Sequence, residues 1–215
     1  MLHLERQFGT FAVLITVVIM FFGLVVFEPV ITASDTPGKF SGVVAAAIAS
    51  LGTYRLAASS LLWLFGRSQA LRRALLGDAY IEGVWVGYYR HGDSERFTIE
   101  TIDQKTGETT ISGLEFDSDG TSRAHWSSES VFIDKRRRKL TYVYSCDVYG
   151  TSHQQNGIGS FQLYSSGKYP DRIDGYSVDM IDGQKDPNTE HKVSETPIPI
   201  EDALNRARAI FTNDA

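Results

Sequence analysis

Residues 80–93 read Tyr80-Ile81-Glu82-Gly83-Val84-Trp85-Val86-Gly87-Tyr88-Tyr89-Arg90-His91-Gly92-Asp93. At Tyr80 the chain takes on a period of two, the repeat of a β-strand, and His91-Gly92-Asp93 is the chemistry of a tight turn. The same alternation continues downstream. It predicts strands over 81–91, 95–102, 109–117, 121–133, 139–149, 157–164 and 174–181, with an eighth over 191–196. Lys105-Thr106-Gly107, Ser118-Asp119-Gly120, Ser166-Gly167 and Asp182-Gly183 separate them. Seven or eight strands joined by short turns point to a small antiparallel up-and-down barrel, closed so that no edge is left unpaired. At eight strands such a barrel is just wide enough to hold one small ligand. Residues 201–211 read as a short C-terminal helix placed to cover one mouth, set off from the last strand by Pro197 and Pro199.

Upstream, two apolar runs at 11–27 and 40–65 precede the strands almost without a break. The first carries no charge, and its seventeen residues reach roughly 26 Å as a helix, near the hydrocarbon thickness of a bilayer. A cleaved signal peptide is the competing reading, but no small-residue cleavage site follows at once and a second run lies close behind. The expectation is therefore a two-helix transmembrane hairpin, with spans at about 10–28 and 41–65 inside a first domain, 1–77, and a β domain at 78–215. Arg67, Arg72 and Arg73 follow the second run, Arg6 precedes the first, and the loop between holds only Lys39. The positive-inside rule then puts both termini in the cytoplasm. The second run is rich in Gly, Ala and Ser and has Tyr54-Arg55 at its middle. Small residues let helices approach closely in lipid, and a central Arg is costly unless it faces protein or water. Tyr54 and Arg55 mark an oligomer seam or a polar path, unless Arg55 simply snorkels. Residues 67–76 continue as a helix with Gly77 as its cap.

Charge divides the same way: residues 1–77 hold six Lys/Arg and three Asp/Glu, and residues 78–215 fifteen and twenty-three. The acidic part has no phosphate-attracting surface for duplex DNA or RNA. Cys146 is the only cysteine, so no intrachain disulfide exists. His91, His125, His153 and His191 lack metal-ligand spacing, and no phosphate-binding loop or nucleophile motif is present. The expectation is a protein with no catalytic residues, no metal and no cofactor.

Gly83-Val84-Trp85 is the G-x-W pattern that opens lipocalin-like barrels, its Trp plugging one end. Two spans, a short basic helix and then Tyr80-Ile81-Glu82-Gly83-Val84-Trp85 resemble the SMODS-associated two-transmembrane β-strand-rich effectors of bacterial cyclic-oligonucleotide antiphage signalling (CBASS). The resemblance covers nearly the whole chain. It implies a barrel that binds a cyclic dinucleotide made by a partner nucleotidyltransferase. It further implies oligomerisation in the inner membrane and membrane disruption that kills the infected cell.

A cyclic dinucleotide offers two bases to stack and two phosphates to neutralise, so its site needs inward aromatics, one or two Arg and polar groups for base edges. With Trp85 inside, alternation places Tyr89 on the same face, Trp126 with Ser128 and Ser130, and Tyr142 with Tyr144 and Cys146. Arg96 and Arg123 are the strand arginines available for phosphate; Thr101, Ser160 and Gln162 are candidates for base edges. Such faces are too polar for a plain aliphatic core, which favours a lined cavity. Two other readings stay open: a membrane-tethered lipocalin-like carrier or sensor of an apolar small molecule, and an interaction module with a filled barrel. Lys135-Arg136-Arg137-Arg138-Lys139 is either a solvated turn or a contact for anionic lipid.

Overall fold

The computed structural model describes residues 10, 13–21, 36–105, 108–151, 154–181 and 183–211, with 36–50 described by backbone alone. It divides into two compact units, Met1–Leu75 and Leu76–Ala215. In the first, residues 13–21 are helical, α1 runs over Thr36–Arg67 and α2 over Gln69–Leu76. Residues 11–12 and 22–28 of the first expected span lie outside the described residues; the second falls within α1. Among the described residues, no helix is long and apolar enough to cross a membrane.

The break between the helices at Ser68 is fully bonded. Ser68 Oγ accepts the Leu71 N–H at 3.2 Å, an N-cap for α2, while Arg72 Nη1 donates to the Phe65 and Gly66 carbonyls, each at 3.0 Å. Gly77, at φ +55°, ends α2 in the left-handed conformation that favours glycine, and a single 3₁₀ turn over Gly77–Ala79 leads on.

The second unit is a closed eight-stranded barrel whose strands pair in sequence order, β8 returning to β1. The strands are β1 Gly83–His91, β2 Ser94–Lys105, β3 Glu108–Asp117, β4 Ser122–Asp134, β5 Lys139–Val148, β6 Gln154–Tyr164, β7 Arg172–Asp179 and β8 Lys185–Ser194. Every neighbouring pair is antiparallel. The up-and-down barrel expected from the sequence is present, with eight strands and a short C-terminal helix. The last strand starts earlier than alternation suggests, at Lys185, because its inward residues Asp186, Asn188 and Glu190 are polar and leave no apolar rhythm to detect. Pro187 sits beyond the end of the β1–β8 ladder, which begins at Asn188.

One end of the barrel is filled. Ile81, Trp85, Ile102, Ile111, Leu140, Phe161, Leu163 and Ile173 form its core, and Trp85 is wholly buried with its indole N–H donating to the Ile81 carbonyl at 2.7 Å. The chain is pinned where it enters. Gln104, buried on β2, accepts the Ile81 and Glu82 N–H groups at 2.8 and 3.0 Å and donates to the Ala79 carbonyl at 3.0 Å. Gly83 has φ +138°, and a Cβ there would lie 2.3 Å from the Ser194 carbonyl oxygen on β8. Closure of the barrel at this corner thus depends on glycine. Gly83→Ala is expected to destabilise the barrel by about 1–3 kcal/mol through backbone strain alone, measured as a lowered denaturant midpoint.

A second core lies outside the barrel. Val84, Val86, Phe97, Ile99 and Phe116 point outward and are buried under Ala203, Leu204 and Ala207 of α3, Ile200–Phe211. Phe211 stacks on Tyr88 with centroids 5.6 Å apart, and Arg206 Nη1 donates to the Val193 carbonyl at 2.6 Å. The C-terminal helix therefore packs against the outer wall instead of covering a mouth. The outward residues of β1, β2 and the end of β3 are apolar, so this outer surface requires a cover.

Candidate functional site

The end of the barrel opposite the Trp85 plug holds a cavity of about 270 Å³. Its mouth is set by strand ends at the β1–β2, β3–β4, β5–β6 and β7–β8 turns, which contribute His91, Arg123, Gln155, Asp179 and Asp186.

Trp126, Tyr142 and Tyr144 make one wall of the cavity aromatic, and Phe161 of the filled core stacks behind Tyr142. Trp126, Tyr142 and Phe161, on the adjacent strands β4, β5 and β6, present nearly parallel rings: Trp126 and Tyr142 are 5.5 Å apart at 1°, Tyr142 and Phe161 5.8 Å apart at 6°. Tyr144 tilts against Trp126 at 54°. Neighbouring strands make room for these rings. A Cβ on Gly113 would meet the Trp126 indole at 2.3 Å, one on Gly159 the Tyr142 ring at 2.4 Å, and one on Gly157 the Tyr144 ring at 2.3 Å. Each large ring lies flat over a glycine, which turns three inward side chains into a platform.

The upper wall is charged. Arg96 is 8% exposed and ion-pairs with Asp117 and with Glu115, the latter at 3.4 Å. Arg123 reaches the same Glu115 carboxylate at 3.3 Å. It does so because the β3–β4 register shifts between Glu115 and Phe116, a bulge that turns this strand-start residue toward the mouth. Tyr89 hydrogen-bonds to Glu115 as well; burial first, then that carboxylate, pushes its phenol far above the ordinary range. Burial raises the Cys146 thiol to about 12, helped by Glu115 and Asp179, so it is a neutral, unreactive wall group.

The floor holds two buried carboxyl groups. Glu100 on β2 is 1% exposed and Glu190 on β8 is fully buried; the two hydrogen-bond to each other. Burial lifts Glu190 to about 7, and lifts Glu100, which also faces the Glu190 charge, well above the carboxylate range. The pair therefore holds a shared proton at neutral pH. Asn188 Nδ2 donates to Glu190 Oε1 at 2.9 Å. Among the described residues no three His, Cys, Asp or Glu side chains come together to hold a metal ion.

Tyr89, Arg96, Arg123, Trp126, Tyr142 and Tyr144 thus all line one cavity. Thr101 and Gln162 do not. Thr101 alternates with Glu100 and Ile102, which point in, and it lies exposed on the outer surface. Gln162 lies between the core residues Phe161 and Leu163 and donates outward to the Arg137 carbonyl at 2.9 Å. Ser160 is outward for the same reason. Ser130 is turned out by a bulge in β4 between Ser128 and Ser130, after which Val131 and Ile133 point in. Tyr54 and Arg55 are exposed on α1.

The floor residues Thr98, Glu100, Asn188 and Glu190 were not expected from the sequence. A signal existed in β2: Arg96, Thr98, Glu100, Ile102 and Gln104 share a face, and Glu100 pairs directly with the inward Trp85. No family model matches this chain, and no curated protein matches its sequence.

Proposed function

We propose that this chain is a membrane effector of bacterial antiphage defence. Its barrel binds a cyclic dinucleotide made by a partner nucleotidyltransferase, and binding drives homo-oligomerisation and disruption of the inner membrane, with both termini cytoplasmic. The observation that carries the reading is the cavity itself: an aromatic platform between two mouth arginines and a polar floor. The rings suit bases, and Arg96 and Arg123 suit phosphate at the rim. A volume of about 270 Å³ is just below the roughly 300–1,000 Å³ of drug-sized ligand sites, so one base enters and the phosphates stay at the mouth. Phosphate must compete with Glu115 and Asp117 for those arginines, which ties ligand binding to rearrangement of the mouth.

Two features support the membrane half. On α1, Leu51, Leu56, Leu62, Trp63 and Leu64 are exposed, an apolar surface suited to lipid. From Ala79 to Glu82 the chain that leads into β1 is held to the barrel by Gln104, so the entry to the barrel is bonded to its wall. The basic turn 135–139 lies at the same end of the barrel as residues 79–83, where contact with anionic lipid would reinforce the geometry.

A carrier of an apolar molecule fits poorly, because Glu100, Glu115, Asp179 and Asp186 line the cavity. The test is calorimetry of the full-length protein in detergent against a panel of cyclic dinucleotides and a fatty-acid probe. Micromolar or tighter binding of at least one cyclic dinucleotide is expected, with Arg123→Gln weakening it about 10- to 100-fold through loss of a charged hydrogen bond. Binding of the fatty-acid probe alone would sink the reading.

A further inference from the structure

Beneath the aromatic platform, the two neighbours of β1 bring a set of acceptors together around Gly87. Thr98 on β2 pairs with Gly87, and so does Glu190 on β8; Glu100 pairs with Trp85 and Asn188 with Tyr89. Gly87 lets Thr98, Glu190 and Asn188 close in over its backbone, where no side chain would fit. A Cβ there would lie 2.3 Å from Thr98 Oγ1 and 3.1 Å from Asn188 Oδ1.

The orientation of Asn188 is set by chemistry. Its amide nitrogen donates to Glu190, so its oxygen must face the other way. That oxygen is buried on a residue 7% exposed, and among the described residues nothing donates to it. Thr98, 5% exposed, has a buried hydroxyl that is likewise unmatched. Glu100 lines the same floor, with its proton directed to Glu190 and its remaining oxygen capacity an acceptor. A buried acceptor that folding leaves unsatisfied in a lined cavity is a place for a ligand donor.

We propose that Thr98, Glu100 and Asn188 form a specificity subsite for a nucleobase edge carrying two adjacent N–H donors, the edge of guanine. This rests on reading the cavity as a cyclic-dinucleotide site. Guanine presents its ring N1–H beside its 2-amino group, matching the amide oxygen and the carboxyl oxygen. Adenine, cytosine and uracil each set an acceptor next to their donor, which would place lone pair against lone pair. The spacing agrees: Arg96 and Glu100 are four residues apart on one strand, about 13 Å, the reach from a phosphate at the mouth to a base edge at the floor once the two side chains are allowed for.

The test is calorimetry on the full-length protein in detergent with cyclic di-GMP, cyclic di-AMP and cyclic di-IMP, the last lacking only the 2-amino group of guanine. Cyclic di-GMP is expected to bind about 10- to 100-fold more tightly than cyclic di-IMP. Asn188→Leu is expected to remove most of that ratio and Thr98→Val part of it, while Glu100→Gln, which keeps a proton toward Glu190 and an oxygen toward the ligand, should retain it. Because the readout is a ratio of affinities on folded protein, partial unfolding of a variant does not imitate the effect. Equal binding of cyclic di-GMP and cyclic di-IMP, or tighter binding of cyclic di-AMP, overturns the subsite and leaves the cavity reading standing. Failure of every cyclic dinucleotide to bind overturns both.

Discussion

Trp126→Ala is expected to weaken cyclic dinucleotide binding by about 5- to 150-fold, the value of one base–aromatic stack, and to abolish toxicity on expression. Trp126 lies at the β4 edge of the platform, parallel to Tyr142 and in contact with Tyr144, and it lines the cavity with both. Removing it also empties space over Gly113. A cost in stability of about 3 kcal/mol follows, at the lower end of large-to-small changes because the site already opens into a cavity. The two losses are separable. Trp126→Phe keeps a flat ring in the same place and is expected to recover most of the affinity, even if some stability is not restored. Affinity unchanged in Trp126→Ala, measured on protein shown to be folded, would remove the platform from the ligand site.

Raising the pH from about 5.5 to 8.5 is expected to lower the stability of the barrel by at least about 2 kcal/mol, the share of Glu190 alone. Glu190 moves from an unfolded value of 4.5 to about 7 in the folded state, chiefly by burial. Between those values the folded chain holds a proton that the unfolded chain has released. Stability is then fully present below the unfolded value and is lost as pH rises through the folded one. Glu100, whose burial holds it well above the carboxylate range, keeps its proton while the unfolded chain has released it, so it adds a loss of the same sign across this window. The check is denaturant unfolding at several pH values, with Glu190→Gln as the control. The control should remove the Glu190 part of the loss, and adding Glu100→Gln should flatten the profile, since an amide has no proton to release. A profile that rises with pH in the unsubstituted protein would mean that the pair is not buried as described.

Much of the barrel was legible in the chain because its alternation is strong where an apolar inner face meets a polar outer one. The G-x-W motif shows why: Gly83 is demanded by φ and by the approach of β8, and Trp85 by the need to fill one end. Of the eight proposed ligand contacts six share the cavity: Tyr89, Trp126, Tyr142 and Tyr144 because parity along a regular strand is a reliable guide to facing, Arg96 on the inward face of β2, and Arg123 through the bulge at the start of β4. Where parity failed, the cause was local. The bulge at 128–130 turned Ser130 outward, and Thr101 and Gln162 were assigned for their chemistry against the alternation of their own strands.

By itself the sequence determined the antiparallel alternation, the turn positions, the plugged end and the separation of an apolar first third from an acidic β domain. These follow from neighbours along the chain, where hydrophobic period and turn chemistry act. Only the tertiary structure decided that α3 covers the outer wall and that glycines on neighbouring strands cradle the rings. It also decided that Glu100 and Glu190, ninety residues apart, share one proton. Barrel closure brings β8 beside β1, and that contact has no trace in local sequence: a carboxyl that reads as a surface group becomes the floor of a cavity.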